Sequence, residues 1–298
     1  MKGKLHFILG VLLMAFIGSC TEEIDLEQPP YETQIVVDGS IETGRPARIY
    51  LTRSSPYLTH YDSASIRETF LNYARITLTS SKGEKEILTL FREDQFFPPF
   101  VYKSLGIKGE TGIRYDIKVE VEGQVVEAST TIPRSPEVVD ARFSARTDSS
   151  GFIEYAVQPD GEKMYLFTQV ASHLAGERLH PSFNPVDVVD AGDHDPLWLQ
   201  VLRSSEHRIY SLDTKPGVYS SLPRFQYSLS DTVDLAVGTV DSISHEVLRS
   251  LFSDRMNQEN PFAFRGQPIE SNVKGGLGRW TGIGRTDRIR VEGPGFRE

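Results

Sequence analysis

The chain has 298 residues, 39% of them hydrophobic, and is long enough to bury a sizeable core without metal or disulfide crosslinks. Its formal net charge of −9, from 32 basic and 41 acidic residues, excludes a general nucleic-acid binder, because phosphate contacts need a basic surface. The single cysteine, Cys20, excludes an intrachain disulfide and a thiolate metal cluster within the chain.

Residues 1–19 have the three parts of a secretory signal peptide: a head with two lysines, an apolar run at 7–17, and small residues before Cys20. The run is too short to span a membrane, which needs roughly 20 apolar residues. Residues 17–20, Ile-Gly-Ser-Cys, resemble the bacterial lipobox, in which the cysteine is lipidated and becomes the first mature residue. We therefore predict a lipoprotein held in the bilayer by acyl chains such as palmitate on Cys20. An ordinary signal peptide whose cysteine merely lies near the cleavage site is the alternative.

Residues 20–32 are predicted to form an acidic tether. Three acidic residues lie within 22–25, and a proline pair at 29–30 favours polyproline geometry. The acidic cluster resembles the export signal that sends Bacteroidota lipoproteins to the outer face of the outer membrane, and a solvated tether is the alternative. Cleavage after residue 19 removes two lysines and no acidic residue, so the remaining chain is two charges more negative than −9.

Between residues 33 and 133 the sequence has the two-residue period of β-strands. Residues 113–121 alternate most regularly, with apolar side chains at every second position. Short strands separated by Gly, Pro and Ser, without a long helical pattern, favour an immunoglobulin-like β-sandwich. The strands are predicted at 34–41, 47–53, 74–80, 86–91, 113–121 and 124–132.

Prolines at 133 and 136 mark a boundary, and residues 134–298 are predicted to form a second β-rich domain. One helix is expected near 242–256, with Ser242 or Ser244 as its cap. The glycine-rich C-terminal segment shows little further periodicity. The predicted fold class is therefore mainly β. The strands of this second part are expected at 138–143, 152–157, 164–170, 198–203, 207–212, 224–229 and 232–240.

Candidate catalytic and metal motifs are incomplete, so we expect neither enzymatic activity nor a cofactor. His245 and Glu246 begin like a zinc-protease helix, but Arg249 stands where the second histidine is needed. A loop at 172–196 offers oxygen ligands for Ca²⁺, yet their spacing departs from that of a calcium loop, which favours a solvated loop and no metal. A hydrolase that uses this loop and His245 is a third alternative. The acidic loop positions are Asp187, Asp190, Asp193, Asp195 and the neighbouring His194.

Three segments together resemble a known family. They are residues 35–41 (Ile-Val-Val-Asp-Gly-Ser-Ile), residues 72–78 (Asn-Tyr-Ala-Arg-Ile-Thr-Leu), and a helix followed by Asn-Pro-Phe at 260–262 and Ser-Asn-Val-Lys-Gly-Gly-Leu-Gly at 271–278. The chain resembles the Bacteroidota lipoproteins built on a domain of unknown function, DUF4249, over nearly all of its length after Cys20. The resemblance implies an outer-membrane, cell-surface location and a gene neighbour that encodes a TonB-dependent receptor. It implies no catalytic residue.

The C-terminal block has two alternative roles. Its glycines permit positive φ and close backbone approach, so the block is either a structural plug that packs the helix onto the second β-rich domain, or a contact surface for a receptor or ligand. The candidate interface residues are Asn260, Pro261, Phe262, Asn272, Gly275, Gly276, Leu277 and Gly278.

These observations favour a non-enzymatic, lipid-anchored envelope protein that serves a TonB-dependent receptor as an accessory or ligand-capture partner. The alternative is a stand-alone surface glycan-binding module, in which Trp198 and Trp280 stack on sugar rings. Core packing is the competing explanation for these aromatic residues. The acidic surface disfavours an anionic ligand and leaves peptides, cations and neutral glycans open.

Overall fold

The computed structural model describes residues 31–56, 59, 61–94, 98–158, 164–176, 180–181, 187–189, 196–200, 226–258 and 270–295. All strands and helices named below belong to one compact unit of the chain. A second unit, residues 1–32 and 55–59, falls almost wholly outside the described residues.

The part of the chain before residue 134 contains eight strands and one short helix. These are β1 (Ile35–Glu42), β2 (Pro46–Arg53), α1 (Ser65–Glu68), β3 (Arg75–Ser80), β4 (Lys85–Ile87), β5 (Thr89–Arg92), β6 (Phe100–Lys108), β7 (Arg114–Val121) and β8 (Gln124–Thr131).

The described residues after 134 add eleven strands and one long helix. These are β9 (Glu137–Ala145), β10 (Ser150–Gln158), β11 (Met164–Ser172), β12 (His180–Pro181), β13 (Asp187–Val189), β14 (Leu197–Gln200), β15 (Tyr227–Ser228), β16 (Thr232–Val240), α2 (Ser242–Gln258), β17 (Val273–Lys274), β18 (Leu277–Arg285) and β19 (Ile289–Glu292).

The strands form three sheets. The ten-stranded sheet has the order β12-β11-β16-β18-β1-β2-β6-β5, with β13 also paired to β11 and β19 to β16. The five-stranded sheet has the order β17-β8-β7-β3-β4. The four-stranded sheet joins β9, β14 and β15 to β10.

The five-stranded sheet and the β5-β6-β2-β1-β18 part of the ten-stranded sheet share one hydrophobic core. Alternate residues of β1 and β7 point into it, among them Val37, Ile41, Tyr115 and Ile117, which are all at most 2% exposed. Because both sheets contribute side chains to one cluster, they pack face to face as a β-sandwich.

The rest of the ten-stranded sheet covers a second core together with the four-stranded sheet and α2. Ile153 and Tyr155 of β10, Leu235 of β16 and Leu248 of α2 belong to this cluster. Strand β18 joins the two cores, because it contributes Trp280 to the first and Ile283 to the second. The predicted division into separate domains at residue 133 stays a prediction, and β18 belongs to a sheet that contains strands from both sides of it.

A buried polar network lies where β1, β11 and β18 meet. Arg285 Nε donates to Gln169 Oε1 at 2.9 Å, and Gln169 Nε2 donates to Glu42 Oε1 at 3.4 Å. The Arg285 side chain is 7% exposed, and burial lowers the pKa of its guanidinium. The pairing limits the cost of burying this cation at the junction of the two cores.

The prediction of a mainly β fold is confirmed, with an N-terminal β-sandwich, a second β-rich part, one long helix and a glycine-rich end. Two details differ. The strand predicted at 86–91 is divided at Leu88, because β4 pairs with β3 in one sheet and β5 pairs with β6 in the other. The sequence pattern did not predict β6. The strand predicted at 207–212 lies outside the described residues.

The predicted helix is present as α2, but its cap differs. The Ser244 amide donates to Asp241 Oδ1 at 2.6 Å, so Asp241 caps the helix in place of Ser242 or Ser244. His245 lies in the first turn of this helix, is 8% exposed, and has its ring centroid 4.6 Å from that of Tyr165.

Candidate contact groove

The C-terminal block completes the first sandwich. Strand β18 runs parallel to β1, with Gly278 beside Val37 and Trp280 beside Gly39, while β17 extends the five-stranded sheet by pairing with β8. The described part of the block, residues 271–278, is therefore structural, as one alternative held, because it closes the first sandwich.

Two of its glycines are required by close backbone approach. A Cβ on Gly276 would lie 2.6 Å from the Ile35 carbonyl oxygen. Gly278 has φ +108°, and a Cβ there would lie 1.9 Å from the Val37 oxygen. No side chain fits in that space, so these glycines hold β18 against β1 and are not available as contact groups.

Asn272 fixes the free edge of β18. Its Nδ2 donates to the Trp280 carbonyl oxygen at 2.8 Å, and the Trp280 amide donates to Asn272 Oδ1 at 2.9 Å. The side-chain amide therefore replaces the neighbouring strand that Trp280 lacks on that side, which satisfies both backbone groups.

A groove with a volume of about 770 Å³ lies on the outer face of the five-stranded sheet, beside this block. Its floor consists of the outward side chains of β3, β7 and β8, and its wall is formed by the start of α2 and the segment 272–274. We call it the sheet groove. Its polar lining comprises Thr77, Thr79, Arg114, Asp116, Lys118, Glu127, Ser129, Thr130, Thr131, Asp241, Asn272 and Lys274.

A row of alternating charge crosses the floor. Lys118 lies opposite Glu127 on the next strand, and Glu127 lies opposite Lys274 on β17. Lys118 Nζ is bound by Glu120 Oε1 at 2.9 Å. Glu127 and Lys274 are exposed, and neither has an ion-pair partner within the described ranges. Two opposite charges are thus available to a molecule that enters the sheet groove.

A second set of floor residues is already paired. Arg114 Nε donates to Asp116 Oδ1 at 2.9 Å, and an Arg114 Nη donates to Ser129 Oγ at 3.0 Å. Ser129 also donates to Asp116. These hydrogen bonds already hold the three side chains in fixed positions next to the unpaired charges. A partner that binds there would therefore cost these side chains little further conformational entropy.

The start of α2 closes one end of the sheet groove. Thr130 Oγ1 donates to Asp241 Oδ2 at 3.2 Å and accepts from the Gly282 amide at 2.7 Å, which ties the helix cap to β8 and β18. Ile243 follows the cap and is 59% exposed. The helix thus presents an apolar side chain beside a polar floor, a combination that suits a protein contact.

The two tryptophans differ in their exposure to solvent. Trp280 is 0% exposed, and its Nε1 donates to the Tyr115 carbonyl oxygen at 3.0 Å, so its assignment as a sugar-stacking platform is wrong. Trp198 is 39% exposed, and Arg142 Cζ lies 3.9 Å from its ring centroid. One face of this ring is therefore already covered by a cation.

Of the candidate interface residues, Asn272 lines the sheet groove. Leu277 is 37% exposed and lies beside Val36 of β1 in the ten-stranded sheet. Gly275, Gly276 and Gly278 pack against neighbouring backbone. Several predicted positions lie outside the described residues, namely Cys20, Asn260, Pro261, Phe262, Asp190, Asp193, His194 and Asp195.

Within the described part of the chain, no group of three or more His, Cys, Asp or Glu side chains is arranged to hold a metal ion. The same part contains no helix long and apolar enough to cross a membrane.

The sequence interpretation did not identify the groove floor. Arg114, Asp116 and Lys118 alternate with the core residues of β7, which is the signal that marks an outward, solvated face. They become neighbours of Glu127 and Lys274 only through strand register, which the sequence does not reveal.

These features define a β-rich, two-core protein whose segment 272–274 borders a polar groove. The chain belongs to the family described as Domain of unknown function (DUF4249), whose profile matches residues 21–289. The predicted membership of the DUF4249 family is thereby confirmed.

No curated protein matches the chain. Among solved structures, the crystal structure of bovine butyrophilin is similar over 70% of this chain and 92% of that chain, with 11% identity and a TM-score of 0.18.

Proposed function

We propose that the protein is lipid-anchored through Cys20 at the outer face of the outer membrane. There it acts by binding, as an accessory or ligand-capture partner of a TonB-dependent receptor, with the sheet groove as its contact surface. Support for the anchor comes from the lipobox-like residues 17–20 and the acidic tether that follows. The observation that carries the binding role is the pair of unpartnered opposite charges, Glu127 and Lys274, beside exposed Ile243 within the described residues.

The sheet groove suits a protein partner for three reasons. The groove, about 770 Å³ in volume, lies on one broad face of the sheet and is not a narrow cleft. Its floor contains both signs of charge, which gives a partner electrostatic complementarity and register. Its wall belongs to the family-matched segment that also closes the fold, so the position of the groove is fixed by the core itself.

The anchor leads to the first prediction. Replacing Cys20 with alanine should move the protein from the membrane fraction to the soluble fraction, because the acyl chains supply roughly 0.8 kcal/mol per buried CH₂. Ser19→Ala keeps a small residue before the cysteine and serves as the control. Mass spectrometry of the purified protein should find an acylated Cys20 at the N-terminus. An unmodified terminus at another residue would contradict the anchor.

The groove leads to the second prediction. Lys274→Glu places like charge beside Glu127 and should reduce recovery of the receptor from detergent-solubilised membranes about tenfold, which corresponds to about 1.4 kcal/mol. Lys85→Glu is the matched control, since Lys85 is exposed on β4 at the far edge of the same sheet and does not line the groove. Quantitative pull-down with the tagged protein measures both. Equal recovery with the two variants would exclude the groove as the contact.

A glycan-binding role is the second candidate, and the exposed ring of Trp198 favours it. If the uncovered ring face stacks on a sugar, Trp198→Ala should weaken glycan binding by about 0.5–1.5 kcal/mol while folding is retained. A glycan array probed with the parent protein and this variant tests the role. Absence of any bound glycan with the parent protein would exclude it.

A further inference from the structure

A second, smaller pocket lies on the outer face of the second β-rich part. It has a volume of about 240 Å³ and is lined by His173, Leu174, Ser230, Thr232, Arg290 and Glu292. Strand register explains the grouping, because Thr232 lies opposite Glu292 and Asp234 lies opposite Arg290 in the β16–β19 pair. Val233, Leu235 and Val291 of the same strands point into the second core, so these polar side chains share the opposite face.

Asp234 organises the charges at this pocket. Its side chain is 4% exposed and accepts hydrogen bonds from Arg290 Nε at 3.2 Å, Arg288 Nη1 at 3.2 Å and His173 Nε2 at 2.9 Å. Burial alone would raise the pKa of Asp234, but the hydrogen bonds from His173 and Arg290 outweigh burial and lower it. A buried carboxylate therefore holds two half-exposed guanidinium groups in place by one nitrogen each.

Three polar groups at the pocket, on Thr232, Arg290 and Glu292, have no partner within the described residues and are of complementary kind. Thr232 is 5% exposed, and its hydroxyl has no hydrogen-bond partner among the described residues. The Arg290 Nη atoms and the exposed Glu292 carboxylate likewise make no hydrogen bond or ion pair within the described ranges. Since a buried hydroxyl without a partner costs free energy, its persistence at a pocket wall points to a missing polar group.

We infer that this pocket binds a small zwitterion of the α-amino acid class. The ligand carboxylate lies against the Arg290 Nη donors and the Thr232 hydroxyl, and the ligand ammonium lies against Glu292. A mixed-charge ligand matches a pocket that offers both signs. Arg290 and Glu292 are two residues apart on one strand face, which places their polar ends within reach of a single small molecule. This site is separate from the sheet groove.

Calorimetric titration of the full-length protein in detergent tests the assignment, with glycine and L-alanine as probes. Acetate and methylammonium serve as matched analogues, because each retains only one of the two charges. The amino acids should bind at least about tenfold more tightly than either analogue, since each lost ion pair is worth about one power of ten. Acetate binding as tightly as glycine, or no binding of either amino acid, would overturn the assignment.

Three variants localise the binding. Glu292→Gln and Arg290→Gln should each weaken glycine binding about tenfold. Thr232→Val should weaken it while the melting temperature is kept, because this change removes an unsatisfied hydroxyl without changing the shape of the side chain. Glu137→Gln and Arg75→Gln, on exposed strand positions away from the pocket, are the charge-matched controls and should bind like the parent. Unchanged affinity in both Thr232→Val and Glu292→Gln would overturn the proposal even if Arg290→Gln fails to fold.

Discussion

Replacing Trp280 with alanine is expected to destabilise the protein by about 3–5 kcal/mol, the range measured for large aromatic residues removed from a core. The ring is fully buried in the first core, and a Cβ on Gly39 of the neighbouring strand would lie only 2.8 Å from it. The variant also leaves the Tyr115 carbonyl oxygen without the indole donor, which adds an unsatisfied group to the cavity.

Trp198→Ala is the matched control, because the same chemical change is made at a half-exposed ring on β14. Urea denaturation followed by circular dichroism should show a midpoint far lower for Trp280→Ala than for Trp198→Ala. Similar midpoints for the two variants would mean that Trp280 of β18 does not stabilise the first core. The assignment of the C-terminal block as the closing strand of the first sandwich would then be wrong.

Gly278→Ala is expected to destabilise the protein by about 3 kcal/mol or more, as backbone strain and a steric clash act together. The residue has φ +108°, which L side chains rarely adopt, and its new Cβ would meet the Val37 oxygen at 1.9 Å. Relief of that contact requires β18 to move away from β1, which weakens the parallel pairing along the strand.

Gly44→Ala separates the two contributions. Gly44 also has a positive φ, +73°, but no heavy atom lies within 4 Å of the position of its Cβ. Gly44→Ala should therefore lower the free energy of unfolding only by the cost of the left-handed backbone conformation, about 1–2 kcal/mol. If thermal denaturation shows equal losses for Gly44→Ala and Gly278→Ala, the close approach of β18 to β1 is not a feature of the folded protein.

The sequence predicted the strands that have a clear period and missed those that do not. Residues 113–121 alternate without interruption, and they form β7 with Tyr115, Ile117 and Val119 in the core. Strand β18 was missed because Gly278, Gly282 and Gly284 occupy positions where an apolar side chain would otherwise show the period. Each of these glycines lies against another strand's backbone or a following loop, where a side chain would clash.

The candidate site was predicted only in part. The block at 271–278 is distinctive in the sequence, yet the sequence does not show which of its residues pack and which are exposed. Trp280 shows the difficulty, because an aromatic residue next to glycines is compatible with a surface platform until its strand partner is known. The sheet groove depends on the strand register among β3, β7, β8 and β17. That register places Glu127 opposite Lys274, which the sequence alone does not reveal.

Crosslinking in intact cells tests the central claim, that the sheet groove contacts an outer-membrane receptor, most directly. A photoreactive amino acid is placed at Ile243, which is 59% exposed at the groove wall, and in a parallel strain at Leu105, which is 66% exposed on β6 and does not line the groove. A crosslink from position 243 to a TonB-dependent receptor is expected, and none from position 105. Equal crosslinking from both positions, or none from position 243 in a normally folded and anchored protein, would contradict it.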